Sequence, residues 1–255
     1  MRNVLAIAQK ELRSYFASPI AYIIIGLFAF LYGYFFIVML NYFMRASMNM
    51  GQMGGPQAMN LNQDMLRPVL QNVTVLLLFV LPAMTMRSYA EERRSGTIEL
   101  LLTSPLTDLQ IVLGKFIGAL TLYGVMLAVT LIHIGVLFIY GTPEWKPVFT
   151  SYLGLLLLGG SFLSVGLFIS TLTTNQIVAY IVTFSTFLTL WIISWIGTFS
   201  SGMLTDVTAY LSIIEHFDDF SKGVIDTTHI IYYLSLITFG LFLTAKSVDT
   251  ERWRG

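Results

Sequence analysis

Residues 20–44 read IAYIIIGLFAFLYGYFFIVMLNYFM, and this stretch decides the class of fold. It contains no aspartate, glutamate, lysine or arginine. A helix of about 20 apolar residues is long enough to cross a hydrocarbon core that is roughly 30 Å thick. The sequence therefore predicts that this stretch is a membrane-spanning helix.

Five further stretches are similarly apolar and uncharged: 69–86, 116–140, 152–172, 177–199 and 230–245. Of the 255 residues, 56% are hydrophobic and 11% are charged, whereas soluble domains have about 25% charged residues. We therefore predict an all-α integral membrane protein with six transmembrane helices. The net charge is zero, so no excess of basic residues indicates nucleic-acid binding. The absence of cysteine excludes disulfides and thiolate catalysis.

The basic residues are divided unequally between the two sides that six spans define. Lysine and arginine are enriched in cytoplasmic loops, so the side with more of them is predicted to be cytoplasmic. That side carries both termini and ten basic residues, which are Arg2, Lys10, Arg13, Arg87, Arg93, Arg94, Lys115, Lys246, Arg252 and Arg254. The opposite side carries four, which are Arg45, Arg67, Lys146 and Lys222.

Residues 1–18 are predicted to form an amphipathic helix that lies in the membrane interface. Its apolar face consists of Val4, Leu5, Ala8, Leu12, Tyr15 and Phe16, and Ile7 lies outside this face. Its polar face consists of Arg2, Gln9, Lys10, Arg13 and Ser14. Two roles remain open for this helix, an anchor that sets the topology and an element that moves mechanically.

Residues 87–107, between the second and third spans, form the most informative connection. A run of charged residues at 91–94 is followed by Gly96, then by a short amphipathic helix, and Pro105 ends that helix. The leucines after Gly96 have no evident membrane partner in this position. Two interpretations remain open: a surface that docks another protein, and a charged loop that only satisfies the positive-inside rule.

The starts of two helices can be read from capping residues. Thr107 and Gln110 have the spacing of a capping box, which predicts a helix that begins near Asp108. Asp226 and Thr227 resemble a cap that opens the sixth span.

Two pairs of small residues, four positions apart, lie on the predicted helices. These pairs are Gly114/Gly118 and Gly166/Ser170. Small side chains allow two helices to approach closely, so both pairs are predicted to lie at helix contacts.

Three groups of residues have both a structural and a functional interpretation. For His133, a hydrogen bond to a neighbouring helix is favoured over a proton relay, because no carboxylate shares any span. The methionines at 44, 48, 50, 53, 59 and 65 could bind Cu(I), but a contact role is favoured because no histidine or cysteine accompanies them. The segment 200–227 is expected to be an outer lid rather than a metal site, although it contains Glu215, His216, Asp218 and Asp219. We therefore predict no catalytic, cofactor-binding or metal-binding residue in this chain.

The run EERRSGTIELLLTSP at 91–105 resembles the signature of ABC-2-type permeases. KELRSYFASP at 10–19 resembles the opening of the same family. TMRS at 85–88, STLTTNQIVA at 170–179 and KGVIDT at 222–227 resemble the gliding-motility-associated ABC permease subunits most closely. The resemblance covers nearly the whole chain.

This resemblance implies one ABC-2-type transmembrane domain over residues 1–255. Within it, 1–18 would be the interfacial helix, 87–107 the cytoplasmic coupling region and 200–227 the outer segment. The implied ATPase-coupling residues are Glu91, Glu92, Arg93, Arg94, Gly96, Thr97, Glu99, Leu100, Leu101 and Pro105.

The resemblance also implies the partners and the location. The chain would be a permease subunit in a bacterial plasma (inner) membrane, with two ABC ATPase subunits and a second permease that is identical or related. An envelope or outer-face accessory subunit and membrane lipids are further expected partners, and nucleic acid is not. The sequence has no G-x-x-x-x-G-K-[ST] loop, so ATP and Mg²⁺ are expected on the separate ATPase, and this chain is not expected to be an enzyme itself.

The implied function is the movement of cargo, with export favoured, or the transmission of force across the membrane. The alternative is an ion-coupled secondary transporter or another polytopic membrane protein without an ATPase partner. Ion coupling would need charged or interrupted sites within the spans, and the six predicted spans contain no charged residue. An intramembrane enzyme would need a catalytic set near the midplane, where His133 is the one candidate.

Overall fold

A computed structural model describes residues 2–52, 59–103, 105–198 and 202–252. In these ranges the chain is helical and has no strand, and six helices are long and apolar enough to span a membrane. These six are α2 (Pro19–Gln52), α3 (Arg67–Thr85), α6 (Asp108–Tyr140), α7 (Trp145–Thr171), α8 (Gln176–Thr198) and α11 (Thr227–Arg252). The shorter helices are α1 (Arg2–Ala17), α4 (Ala90–Ser95), α5 (Thr97–Leu102), α9 (Met203–Leu211) and α10 (Ile213–Ser221). The predicted all-α fold with six candidate spans is confirmed.

Several helices continue beyond the apolar stretch that predicts them. α2 runs to Gln52 instead of ending at residue 44, and α11 runs to Arg252 instead of ending at residue 245. Hydropathy marks the apolar part of a helix, whereas backbone hydrogen bonding can continue into polar sequence. Both capping predictions are confirmed. The Gln110 amide donates to the Thr107 hydroxyl at the start of α6, and the Thr228 amide donates to Asp226 at the start of α11.

α7 is the most buried of the spans, and it packs against α3, α6, α8, α10 and α11. Glycines allow these close contacts. A Cβ atom on Gly159 would lie 2.2 Å from the Tyr123 ring, and one on Gly166 would lie 2.4 Å from the Thr85 hydroxyl. The Tyr123 hydroxyl donates to the Leu155 carbonyl at 2.7 Å, so the ring is also fixed by a hydrogen bond.

α1 lies against α6 in a notch formed by the pair Gly114/Gly118. A Cβ atom on Gly114 would lie 2.5 Å from Ile7, and one on Gly118 would lie 2.9 Å from Glu11. Both small-residue pairs therefore lie at helix contacts, as predicted. The face of α1 that packs on α6 differs from the predicted apolar face: Ile7, which lies outside that face, is buried, whereas Leu5 is 63% exposed. The notch in α6 accepts the face that carries Ile7 and Glu11, and periodicity in α1 alone does not contain this information.

His133 contacts α2 in a way that differs from the prediction. Its ring packs edge-on against Tyr32 and Phe36, with ring centroids 5.2 Å apart in both pairs. Among the described residues, the buried Nδ1 of His133 has no hydrogen-bond partner. The predicted interhelical hydrogen bond is thus replaced by aromatic packing.

The connections gather at two opposite ends of the bundle. We call the end that contains α1, α4 and α5 the α1 end, and the end that contains α9 and α10 the α10 end. Glu11 of α1 contacts the start of α6 at the first end, and the last turn of α11 reaches this end as well. At the second end, Thr150 of α7 donates to the Phe220 carbonyl of α10.

Candidate functional site

The segment between α3 and α6 contains two short helices that meet at a left-handed glycine. α4 ends at Ser95, Gly96 has φ of +71°, and α5 begins at Thr97. A Cβ atom at Gly96 would meet nothing within 4 Å, so backbone conformation, not space, favours glycine here. This residue sets the angle between α4 and α5.

The start of α4 is hydrogen-bonded to the end of α7. The buried Ser170 hydroxyl accepts from the amides of Tyr89 and Ala90, each at 3.1 Å, and it donates to the Met86 carbonyl at 3.3 Å. One side chain of α7 thus satisfies three backbone groups of the turn that precedes α4. This bond fixes α4 to the most buried span.

The end of α11 is fastened to both ends of the same segment. Arg93 of α4 donates to Glu251 of α11 and to the Thr171 carbonyl of α7. Arg252 of α11 donates to the Leu106 carbonyl at 3.1 Å, and its guanidinium forms an ion pair with Asp108, at 2.9 Å, where α6 begins. The segment between α3 and α6 is therefore held by α7 and by α11.

A buried ion cluster connects α1, α4 and α6. The Lys115 ammonium donates to Glu11 at 3.0 Å, to Glu92 at 2.8 Å and to the Ser88 carbonyl at 2.9 Å, and its side chain is 2% exposed. Lys10 lies 3.6 Å from Glu11 and 3.5 Å from Glu92, so two lysines balance two glutamates. We call these four side chains the Lys115 cluster.

The ten residues of the predicted coupling set divide into two groups in the structure. Glu92 and Arg93 contact other parts of this chain through the bonds described above, and Leu101 is half-buried. The exposed group consists of Glu91, Arg94, Gly96, Thr97, Glu99, Leu100 and Pro105. Leu100 is 74% exposed, while Ile98, two residues earlier, is buried beneath the same helix. α5 thus buries one apolar side chain and exposes another, and Glu91, Arg94 and Glu99 are exposed charged residues of the same two helices.

The sequence reasoning missed the residues that hold this segment in place. Lys115 and Arg252 were counted only as topology charges, and Glu11, Asp108 and Glu251 were not singled out. Opposite charges that all lie near one end of the spans were the available signal. That signal does not say which helices are neighbours, so it does not identify the pairs.

The α10 end contains a second, more exposed set of charges. Asp218 accepts from Arg67 and from Gln71 at 2.5 and 2.9 Å, and it lies 2.7 Å from the Lys222 ammonium. Burial alone would raise the pKa of the Asp218 carboxyl, but hydrogen bonds from Lys222 and Arg67 hold this pKa below its usual value. We call Arg67, Asp218, Asp219 and Lys222 the Asp218 cluster.

Two histidines extend this cluster to α11. His216 Nδ1 and His229 Nδ1 lie 2.7 Å apart, His216 Nε2 faces the Tyr210 carbonyl at 2.9 Å, and His229 Nε2 faces Asp219 at 3.0 Å. Both Nε2 atoms face acceptors and therefore carry protons, and one proton fits between the two Nδ1 atoms.

No three histidine, aspartate or glutamate side chains in the described ranges are arranged to hold a metal ion. The carboxylates of the Asp218 cluster are instead bonded to basic side chains. Among the methionines of the 44–65 segment, Met44 and Met48 are exposed on α2 and Met65 is fully buried. Met53 lies outside the described residues, and so does the side chain of Met50.

Comparisons with known proteins assign the family. The sequence profile of the family described as "ABC-2 family transporter protein" matches residues 5–247. Over 143 residues the chain is 32% identical to a "Probable multidrug ABC transporter permease YbhR" of Escherichia coli (strain K12), and equally to the protein of that name in Escherichia coli O157:H7. The match covers 55% of this chain and 38% of each relative, so the chain spans well under half of the curated relatives' length. Because the profile matches almost the whole chain, and six apolar helices accompany the match, the chain belongs to the ABC-2 family of transporter proteins.

Proposed function

We propose that this permease subunit receives a separate ABC ATPase on the exposed surface of α4 and α5, and that this surface faces the cytoplasm. The observation that carries the proposal is Leu100, an exposed leucine at a charged end of a membrane protein. An apolar side chain within a polar rim is typical of a protein interface. Glu91, Glu99 and Arg94 provide that rim and could pair with charges on the ATPase.

The bonds around α4 and α5 support a role in transmitting motion. A displacement of this segment acts on α7 through Ser170, on α11 through Arg93, and on α1 and α6 through Glu92. These bonds connect four elements to one short segment. Movement of the ATPase would therefore reach several spans together.

Further features of the proposal come from charge and family. The ten basic residues on the side of α1, α4 and α5, against four on the other, support cytoplasmic termini in a bacterial plasma membrane. Family membership supports two ATPase subunits and a second permease, and the multidrug name of the E. coli relative supports export as the direction. The motifs at 85–88, 170–179 and 222–227 support a narrower likeness to the gliding-motility-associated permease subunits.

A copurification experiment tests the docking surface. The tagged chain is purified in mild detergent from membranes of its own host, and the Mg²⁺-dependent ATPase activity of the eluate is measured. We expect activity with the wild type and a loss of about tenfold or more with Leu100→Asp, because truncating a central apolar anchor costs about 2 kcal/mol or more. Glu99→Lys is expected to reduce copurification to a smaller extent, since it lies at the rim.

Glu144→Lys is the matched control for Glu99→Lys. Glu144 is also exposed, but it lies at the α10 end, where no ATPase contact is proposed. This control should copurify as the wild type does. Wild-type eluates without ATPase activity, or a Leu100→Asp variant that copurifies normally, would refute the proposed docking surface.

A further inference from the structure

A cavity lies at the α1 end, between α1 and the near ends of α2 and α3. Its volume is about 310 Å³, at the lower end of the range of small-molecule pockets, roughly 300–1,000 Å³. Its apolar wall includes Ile20, Ile24 and Met84, and its polar wall includes Arg87, Glu91 and Glu92. The cavity therefore joins a charged rim to an apolar floor.

Arg87 provides the first sign of a ligand. It lies just beyond α3, is half-buried and lines the cavity. Its Nε atom is buried and has no acceptor among the described residues. An unsatisfied buried donor is costly, and a guanidinium fits phosphate oxygens with two parallel hydrogen bonds.

Glu92 provides the second sign, with the opposite charge. Its Oε1 atom accepts from Lys115, but its Oε2 atom is buried and has no donor within the described part of the chain. Glu91 lines the same wall of the cavity. One wall thus contains an unsatisfied cationic donor and an unsatisfied anionic acceptor.

The surroundings indicate where the ligand comes from. Beside the cavity, α2 presents Tyr22, Ile23 and Leu27 outward, each more than half exposed in the isolated chain. In a protein that spans a membrane, such an apolar face is covered by lipid tails. A lipid headgroup at this depth can enter the cavity while its chains lie along α2.

We propose that this cavity binds the headgroup of a zwitterionic aminophospholipid. The phosphate accepts hydrogen bonds from the Arg87 guanidinium, and the primary ammonium donates to the free oxygen of Glu92. The glycerol and the first methylene groups lie over Ile20, Ile24 and Met84. A phosphoethanolamine headgroup satisfies both unpaired groups, whereas a phosphocholine headgroup has no N–H to donate and a phosphoglycerol headgroup has no cation.

Native mass spectrometry of the purified chain tests this site. The chain is delipidated in detergent and offered equal amounts of phosphatidylethanolamine, phosphatidylcholine and phosphatidylglycerol with identical acyl chains. We expect phosphatidylethanolamine to be retained about tenfold more than either of the others, since each lacks one charge-assisted hydrogen bond. Equal retention of the three lipids, or preferential retention of phosphatidylglycerol, would overturn the proposal.

Variants locate the binding. Arg87→Gln should reduce retention of phosphatidylethanolamine about tenfold, as expected for the loss of hydrogen bonds to a charged group. Arg94→Gln is the matched control, because Arg94 is an exposed cation at the same end and does not line the cavity. A thermal unfolding curve for each variant checks that the fold is intact. Within the described residues, Arg87 forms no hydrogen bond or ion pair with the Lys115 cluster, so the Arg87→Gln test remains valid even if a Glu92 variant fails to fold. Unchanged retention in a folded Arg87→Gln variant would refute the site.

A competition experiment distinguishes a lipid-binding site from a site that binds soluble phosphate. Inorganic phosphate and free phosphoethanolamine are added at millimolar concentration to the lipid-loaded chain. If phosphatidylethanolamine is retained in the presence of both competitors, the result supports a lipid site, because the apolar floor of the cavity contributes to binding. Displacement by inorganic phosphate alone would mean that the cavity binds a free anion, which overturns the proposal.

Discussion

The two ends of the bundle contain similar ion clusters that differ in burial. In the Lys115 cluster the central lysine is 2% exposed, and its two carboxylate partners come from α1 and α4. In the Asp218 cluster Lys222 is 43% exposed, and its partners Asp218 and Asp219 lie four and three residues before it in the chain. A buried ion pair is expensive to break, whereas an exposed one is screened by water. The buried lysine at the α1 end therefore joins separate elements, whereas the exposed Lys222 pairs at the α10 end are local in sequence and contribute little.

The largest effect is expected from Lys115→Met. This change leaves Glu11 and Glu92 buried without their central cation, and breaking a buried ion pair costs about 3–5 kcal/mol. Thermal unfolding in detergent should show a markedly lower midpoint. A triple variant with Lys115→Met, Glu11→Gln and Glu92→Gln should recover much of the loss because no buried charge is left unpaired, and Lys10, which loses its partners, is 60% exposed. A Lys115→Met midpoint equal to that of the wild type would show that the cluster does not join these elements.

A smaller effect is expected from Ser170→Ala. The change removes the acceptor for the Tyr89 and Ala90 amides, and an unsatisfied buried donor costs about 1–3 kcal/mol. Hydrogen exchange of residues 89–95 should become faster, because α4 loses its bond to α7. Ser95→Ala is the control, since the Ser95 hydroxyl is exposed and bonds within its own segment. Equal exchange in the two variants would argue against this connection.

The histidine pair predicts a pH dependence that is confined to the α10 end. Burial is the main cause that lowers the pKa of His216 below its usual 6.5, and the neighbouring His229 lowers it further. A group with a lowered folded pKa stabilises the fold above its unfolded pKa, and this stability is lost as the pH falls. Protons on both Nδ1 atoms would also place two N–H groups face to face between the rings.

Between about pH 7 and pH 5, we expect hydrogen exchange in α10 to accelerate, because the fold loses the stability that comes with the lowered pKa of His216. Exchange rates need correction for their intrinsic pH dependence. His216→Gln should remove most of the pH effect, and α4 should not respond in either protein. A pH response of equal size in the His216→Gln variant would contradict this origin.

The smallest effect is expected from Lys222→Met. The Lys222 ammonium bonds to Asp218 and Asp219, but exposed pairs of this kind contribute about 1 kcal/mol or less. The unfolding midpoint should shift slightly, and the shift should shrink further in 1 M salt because charges at the surface are screened. A shift as large as that of Lys115→Met would remove the difference between the two ends.

The sequence predicted those parts of the fold that depend on local pattern. The six spans follow from uninterrupted apolar stretches, the start of α6 follows from the Thr107–Gln110 capping box, and the break between α4 and α5 coincides with Gly96. The contacts between elements did not follow, because they depend on which helices become neighbours. The face of α1 that packs inward is determined by the notch in α6, so Ile7 is buried although it breaks the pattern within α1.

The candidate site shows the same limit. The exposed residues of the predicted coupling set, such as Leu100, could be selected from the motif at 91–105. Glu92 belongs to the same motif, yet its partners Lys115 and Lys10 lie in two other elements of the sequence. The pairing of His216 with His229 was also missed. The sequence places carboxylates next to His216, whereas the contact with His229 depends on how α11 packs against α10.

The Lys115 cluster also has a consequence for the order of assembly during synthesis. Glu11 and Lys115 are 104 positions apart, so at about 5–20 residues per second roughly 5–20 s separate their synthesis. Throughout that interval α1 has no partner notch, and the lysine that enters with α6 is not neutralised until α1 and α4 have both reached it. The Lys115 cluster therefore forms only after the first three spans have inserted and packed in the correct arrangement. A chain that stalls before that point would present an unpaired charge near the membrane surface, a feature that quality-control proteases could recognise.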